Sequence, residues 1–181
     1  MNKRIRWITE TAIMLALLVT LQALTKPLGQ LVTGSCVNTI LAVSALIGGL
    51  GCGLTVAVIS PILAFLLGIA PQILTVPAIM VGNAVFVVLL SLLADKTGKN
   101  LVKQIVAWLA AAVSKFAALY VIVVKIICGV MAADLLAAGT LKEPMLKALP
   151  ATFSWPQLFT ALIGGAIALM IVPILRKALH R

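Results

Sequence analysis

The sequence predicts an all-α integral membrane protein: a single membrane domain over residues 1–181, built as a bundle of six transmembrane helices with both termini cytoplasmic. Three observations predict it. Of the 181 residues, 63% are hydrophobic and only 10% are charged, so nearly every long segment is more apolar than the one-sided stripe of a soluble helix. The apolar residues fall in runs near the ~20 residues needed to cross a ~30 Å hydrocarbon core. The fourteen Lys and Arg gather in short clusters beside those runs, so the net charge of +10 describes orientation in a lipid bilayer and not a nucleic-acid footprint.

The runs lie at 7–24, 36–50, 54–69, 73–94, 104–130 and 155–175. Before the first, Met-Asn-Lys-Arg-Ile-Arg has the form of a signal-peptide start, but the following run lacks a clear small-residue cleavage site and further spans succeed it; it is expected to be retained. Gly48-Gly49-Leu50-Gly51-Cys52-Gly53 is either a tight turn between the second and third runs or a glycine-rich stretch of one helix. A single helix over 36–69 would measure ~50 Å, too long for the core. Charge decides in the same direction. With six spans, Lys3, Arg4, Arg6, Lys96, Lys99, Lys103, Arg176, Lys177 and Arg181 share the cytoplasmic side, and only Lys26, Lys142 and Lys147 lie outside. The outer connections are then Lys26 to Ser35, the Gly68-Ile69-Ala70-Pro71-Gln72 turn, and a stretch around Asp134–Ser154 with a short surface helix starting at Pro144. Trp7 and Trp155 fall near opposite interfaces, where indole is favoured. Pro61 and Pro77 are places where a helix bends or frees a carbonyl.

Several chemistries lack their groups. The four acidic residues, Glu10, Asp95, Asp134 and Glu143, are not clustered and none lies near a span centre. Cys36, Cys52 and Cys128 have no metal-ligand spacing, and the single histidine, His180, is next to last. Metal-dependent membrane catalysis is therefore not expected, nor is any enzyme activity or cofactor. A proton-coupled carrier usually needs a titratable acid or histidine within the bilayer, which is missing, and no Gly-x-x-x-x-Gly-Lys-Ser/Thr loop is present for ATP hydrolysis. Energy for uphill transport would come from a partner.

Polar groups within the spans are few. Counting 1.5 Å per residue from Lys103, Lys115 lies ~18 Å into the core and Lys125 ~33 Å. Lys125 is deep enough in the span that it can snorkel to the outer interface. Lys115 cannot, and an ammonium near the midplane costs at least ~2.5 kcal/mol, so it should face the bundle interior or a wet cavity. Asn83, ~15 Å into the fourth span, reaches comparable depth; it either joins Lys115 on a cavity wall or serves as interhelical glue beside Gly82. Gln22, Thr25, Gln30, Thr33, Asn38 and Gln72 cluster at the outer ends of spans one, two and four, as exposed loop polarity or as a cavity mouth. Ala12-x-x-x-Ala16 offers a small-residue ridge for close helix contact.

In order along the chain, Ala12-x-x-x-Ala16, Val37-Asn38 before Leu46-Ile47-Gly48-Gly49, Ser60-Pro61 before Gly68, Pro77 before Val81-Gly82-Asn83, and Ser114-Lys115-Phe116 before Tyr120 make the chain resemble the substrate-binding S components of energy-coupling factor (ECF) vitamin transporters, in particular the group containing riboflavin and pantothenate binders. The resemblance implies a six-helix bundle in a prokaryotic plasma membrane that takes a small-molecule vitamin into an outward-facing pocket. It also implies partners, a membrane T subunit and two cytoplasmic ABC-type ATPases, with transport by toppling of the subunit in the membrane. Ala12 and Ala16 match the partner-contact motif of that family, and Lys115, Asn83, Asn38, Tyr120 and Gln72 are the candidate substrate-binding residues. Lys115 favours a ligand with a carboxylate, phosphate or strong acceptor; the few outer aromatics, Phe65, Phe116 and Tyr120, argue against a cage for a cationic ring. Two other classes stay open: a membrane scaffold or assembly protein in which Lys115 and Asn83 only pair helices, and a free-standing secondary carrier.

Overall fold

A computed structural model describes residues 2–69, 72–95, 97–98 and 100–179. Lys96, Lys99, His180 and Arg181, and the Ala70-Pro71 centre of the second outer turn, lie outside the described residues. The elements are α1 (Lys3–Thr25), α2 (Gln30–Ile47), α3 (Gly49–Leu66), α4 (Val76–Leu93), α5 (Leu101–Leu119), α6 (Ala132–Ala137), α7 (Glu143–Thr152) and α8 (Trp155–Ala178). Six of the helical segments are long and apolar enough to cross a membrane. They run alternately up and down, so the Lys3 end of α1 and the Ala178 end of α8 share one end of the bundle, here called the basic end.

The glycine-rich segment resolves as a break. α2 stops at Gly48, Gly49 takes φ +82°, and α3 starts there at once. Only a residue without Cβ adopts that backbone cheaply. Gly51 and Gly53 then lie inside α3, where a Cβ on Gly53 would meet Val87 and the Ala45 backbone. The Lys26–Ser35 connection is shorter than expected. A single 3₁₀ turn (Lys26–Leu28) and Gly29, at φ +89°, suffice, and α2 already begins at Gln30. Gln30, Thr33 and Gly34 are polar or small because they line a cavity, and Ser35 because it packs against Gly164 of α8, not because they form a loop. Pro77 sits in the first turn of α4, where a missing N–H leaves no bond unmade, so it caps the helix and does not bend it. Pro61 is inside α3 and buried.

The fifth span extends to Val130, but from Tyr120 it winds wider, with bonds of the i→i+5 type such as Met131 N to Ile126 O (2.9 Å). The connection after it carries α6 and then α7, which starts at Glu143 with Pro144 in its first turn, as the proline predicted.

Two apolar cores hold the bundle. One, including Leu41, Val56, Phe86, Val87, Leu90, Ala111 and Ala168, joins α2, α3, α4, α5 and α8. The other, with Leu119, Val123, Ile127, Leu149 and Phe153, packs α7 against the widened segment. α2 and α8 approach closely because Gly164 presents no side chain: a Cβ there would come within 2.5 Å of Ser35 O and 2.6 Å of Asn38 Cβ. α1 packs on α2 and α3 and buries only Thr11 and Leu18.

Six spans require one side for both termini and for the α4–α5 loop. In a variant without native cysteines, single cysteines beside Lys99 and Arg181 should label from the cytoplasmic side and one beside Lys142 from outside. Opposite labelling of the first two would refute six spans.

Candidate functional site

At the end of the bundle opposite the basic end, a cavity of about 330 Å³ lies between the first turns of α2, the start of α4, the outer part of α5 and the α7 layer. That size is within the range of small-molecule sites. Val37, Ile79, Leu119, Leu149 and Phe153 supply apolar wall; Phe153 is the only aromatic side chain on it among the described residues.

Lys115 forms the floor. It is 3% exposed, and its Nζ donates to Asn38 Oδ1 (2.5 Å) and Asn83 Oδ1 (2.7 Å), so three helices converge on one ammonium. The ammonium also sits 5.6 Å from the centroid of the Phe86 ring. Asn38 is oriented in turn. Its Nδ2 donates to Gly34 O (2.9 Å) and Thr160 Oγ1 (3.2 Å), and the Thr160 hydroxyl donates to Gln157 O (3.1 Å). With both N–H bonds of the Asn38 amide so occupied, its oxygen is left to face the lysine. The only ion pair among the described residues is Arg6–Glu10, near the other end. Lys115 is thus solvated by two neutral carbonyl oxygens with no anion beside it, and one of its three N–H donors is left for a guest. A buried cation held this way gains most from an anionic or strongly accepting group, since a charge-assisted bond is about twice as strong as a neutral one.

The upper wall is uncharged apart from Lys26, whose Nζ donates to Gly68 O (2.6 Å) and ties the end of α1 to the end of α3. Gln22, Gln30, Thr33 and Gln72 line it, so the mouth reading holds for these rather than plain loop exposure. Gln22 Oε1 and Gln72 Oε1 are buried and accept no hydrogen bond from the protein, while Gln72 Nε2 contacts Met145 Sδ of α7. Thr25 stays off the wall, its hydroxyl donating to Leu21 O (2.6 Å).

Four of the five candidate substrate-binding residues therefore come together: Lys115, Asn83 and Asn38 at the floor, Gln72 at the rim. Asn38 departs from its expected place. It is 1% exposed and eight residues into α2, because the helix starts earlier than the apolar run does. Tyr120 is not on the cavity wall; it lies 5.9 Å from Phe116, which stacks on Trp155, and Lys125 Nζ sits 5.7 Å from its ring. Lys125 is exposed, as snorkelling requires. Lys115 and Leu119 share one face at a four-residue spacing, and Phe116 and Tyr120 occupy the next, about 100° round the helix. The sequence reading missed Gln157, Thr160 and the α7 residues. For the first two a signal existed: Gln157, Thr160 and Gly164 form a polar and small line at spacings of three and four in an otherwise apolar helix.

A six-span bundle with a solute-sized cavity at one end has the architecture of a membrane protein built around a small-molecule site. Residues 6–176 match the family model described as "ECF transporter, substrate-specific component", and the chain belongs to that family. No curated protein and no solved structure matches it. It is accordingly a multi-pass, substrate-specific transport subunit and not an enzyme, with a small-molecule substrate and membrane-embedded partners.

Proposed function

We propose that the chain captures a water-soluble vitamin or related micronutrient in an outward-facing pocket and delivers it through an ATP-driven importer. The observation that carries this reading is the buried Lys115 ammonium, held by Asn38 and Asn83 on the floor of a 330 Å³ cavity with no carboxylate to neutralise it. A lysine serving only to pair helices has no need of a cavity above it, and burying an ammonium without a counter-ion is a poor way to stabilise a bundle. The guest supplies the acceptor. Among chemical classes, a carboxylate-bearing ligand like pantothenate or a carbonyl-rich one like a flavin suits the floor.

In this reading residues 1–181 act as one membrane domain in a prokaryotic plasma membrane. A membrane T subunit and two cytoplasmic ATPases supply the energy, and the subunit topples against the T subunit to release its load. Ala12 and Ala16 are both exposed on α1, the helix least enclosed by the bundle, which suits the partner-contact role.

The test is mass spectrometry of small molecules co-purified with the folded chain in detergent, followed by thermal stabilisation with each compound found. A single bound anionic or carbonyl-rich micronutrient that raises the melting temperature is expected. A scaffold would carry no small molecule and gain no stability from the vitamin series. A secondary carrier would accumulate substrate in vesicles holding this chain alone.

A further inference from the structure

We propose that a second cavity, between the start of α5 and the end of α8 at the basic end, binds the headgroup of a membrane phospholipid that carries both a phosphodiester and a hydroxyl or ammonium donor. The cavity measures about 290 Å³ and opens where the helices end. Leu169, Val172, Pro173 and Arg176 stand at i, i+3, i+4 and i+7 on one face of α8, so an apolar strip leads to a guanidinium, with Lys177 beside it. Leu101 faces the strip from α5. This order, hydrocarbon wall and then cations, is the order of a lipid from acyl chain to phosphate, and basic pockets between helix ends are a recognised way of holding such headgroups.

The third component is Gln104, also on the wall and 5% exposed. Its Nε2 donates to Asp95 O (2.7 Å), which fixes which end of the amide is oxygen. Its Oε1 is buried and accepts no hydrogen bond from the protein. A phosphodiester oxygen has no proton to give that acceptor; a glycerol hydroxyl or an ethanolamine ammonium beyond the phosphate has one. Among the described residues Arg176 makes one hydrogen bond, Nη2 to Leu46 O (3.2 Å), and it lies against Gly98, whose φ of +72° and missing Cβ make room for it. The rest of its N–H fork is available for a phosphate. The Asp95 carboxylate does not line the cavity; it accepts from Thr97 N, Thr97 Oγ1 (2.6 Å) and Asn100 N (3.0 Å) in its own loop.

This site is independent of the solute cavity, and so is its test. The full chain, delipidated in detergent, is mixed with phosphatidylglycerol, phosphatidylethanolamine or phosphatidylcholine, and retention is read by native mass spectrometry with melting temperature alongside. The first two lipids should be retained about tenfold more strongly than phosphatidylcholine, whose trimethylammonium has no donor for Gln104, the equivalent of one good hydrogen bond. Arg176→Gln should reduce retention of all three, and Gln104→Leu should bring the first two down to the phosphatidylcholine level. If Gln104→Leu does not fold, Arg176→Gln and Lys177→Gln, both in the last turn of α8, carry the test. Equal retention of the three lipids by the unmodified chain, or unchanged retention by Arg176→Gln, overturns the proposal. Binding of free glycerol phosphate as strong as that of the lipid would overturn the lipid as its source. Loss of ATP-driven uptake by Arg176→Gln with lipid retention intact would assign the cavity to a partner subunit instead.

Discussion

Lys115→Met should weaken ligand binding by roughly ten- to hundredfold while the protein stays folded, because one charge-assisted hydrogen bond is worth ~1.5–3 kcal/mol. Methionine keeps most of the length and the apolar stem, so the cavity floor keeps its shape. What it removes is the donor. The substitution has a structural consequence of its own, since Asn38 Oδ1 and Asn83 Oδ1 both lose the hydrogen that now satisfies them. Leaving buried acceptors unpaired costs ~1–3 kcal/mol each, offset by the desolvation that a buried ammonium no longer suffers. Stability and affinity are therefore expected to respond separately. If Lys115 only joins α2, α4 and α5, stability changes and affinity does not. The measurement is ligand affinity of monodisperse Lys115→Met protein in detergent, with Lys125→Met as control for loss of one positive charge. Lys125 is exposed beside Tyr120, away from the cavity, and its replacement should leave affinity unchanged. Near-wild-type affinity for both variants would sink the anchor role.

Lys115 was legible because a charge far from either membrane face has only one economical place to go. Asn83 was legible from depth alone. The floor's third member was harder, since Asn38 was read at a helix end, next to residues whose polarity suggested a loop. The two readings give the same composition: Gln30 and Thr33 look alike whether they meet bulk water or a cavity wall. What separates them is Gly29, whose positive φ turns the chain so tightly that α2 starts six residues before its apolar run. The bundle itself followed from run length and charge placement, which are bilayer constraints and need no knowledge of packing. The widened winding after Tyr120 left no such trace, because Val and Ile are as common in ordinary apolar helices. The cavity in turn depends on α7 covering the bundle end through Leu149 and Phe153, a long-range contact that periodicity within one segment does not encode.

Ala16→Trp should leave ligand affinity within about twofold of the unmodified chain and abolish ATP-driven uptake. Ala16 is exposed and does not line the cavity, and α1 turns only Thr11 and Leu18 fully into the bundle, so an indole at this position points away from the site. Against lipid an indole is tolerated. Against a second helix it is not, because contact over small residues depends on the backbones coming close, and attraction between spans comes from packing without a hydrophobic driving force. Thr9, Ala12, Ala16 and Thr20 follow at spacings of three and four and are all exposed, so the small surface extends about three turns along α1. One bulky residue in its middle holds the whole stretch off. Met170→Trp, on the exposed face of α8, is the control for a bulky group placed against lipid, and it should retain uptake. The assay is uptake into vesicles containing the chain with the T subunit and ATPases of the proposed importer, paired with affinity in detergent. Undiminished uptake by Ala16→Trp would remove α1 from the partner interface; loss of both uptake and ligand affinity would show that the substitution had disturbed the bundle and not the contact.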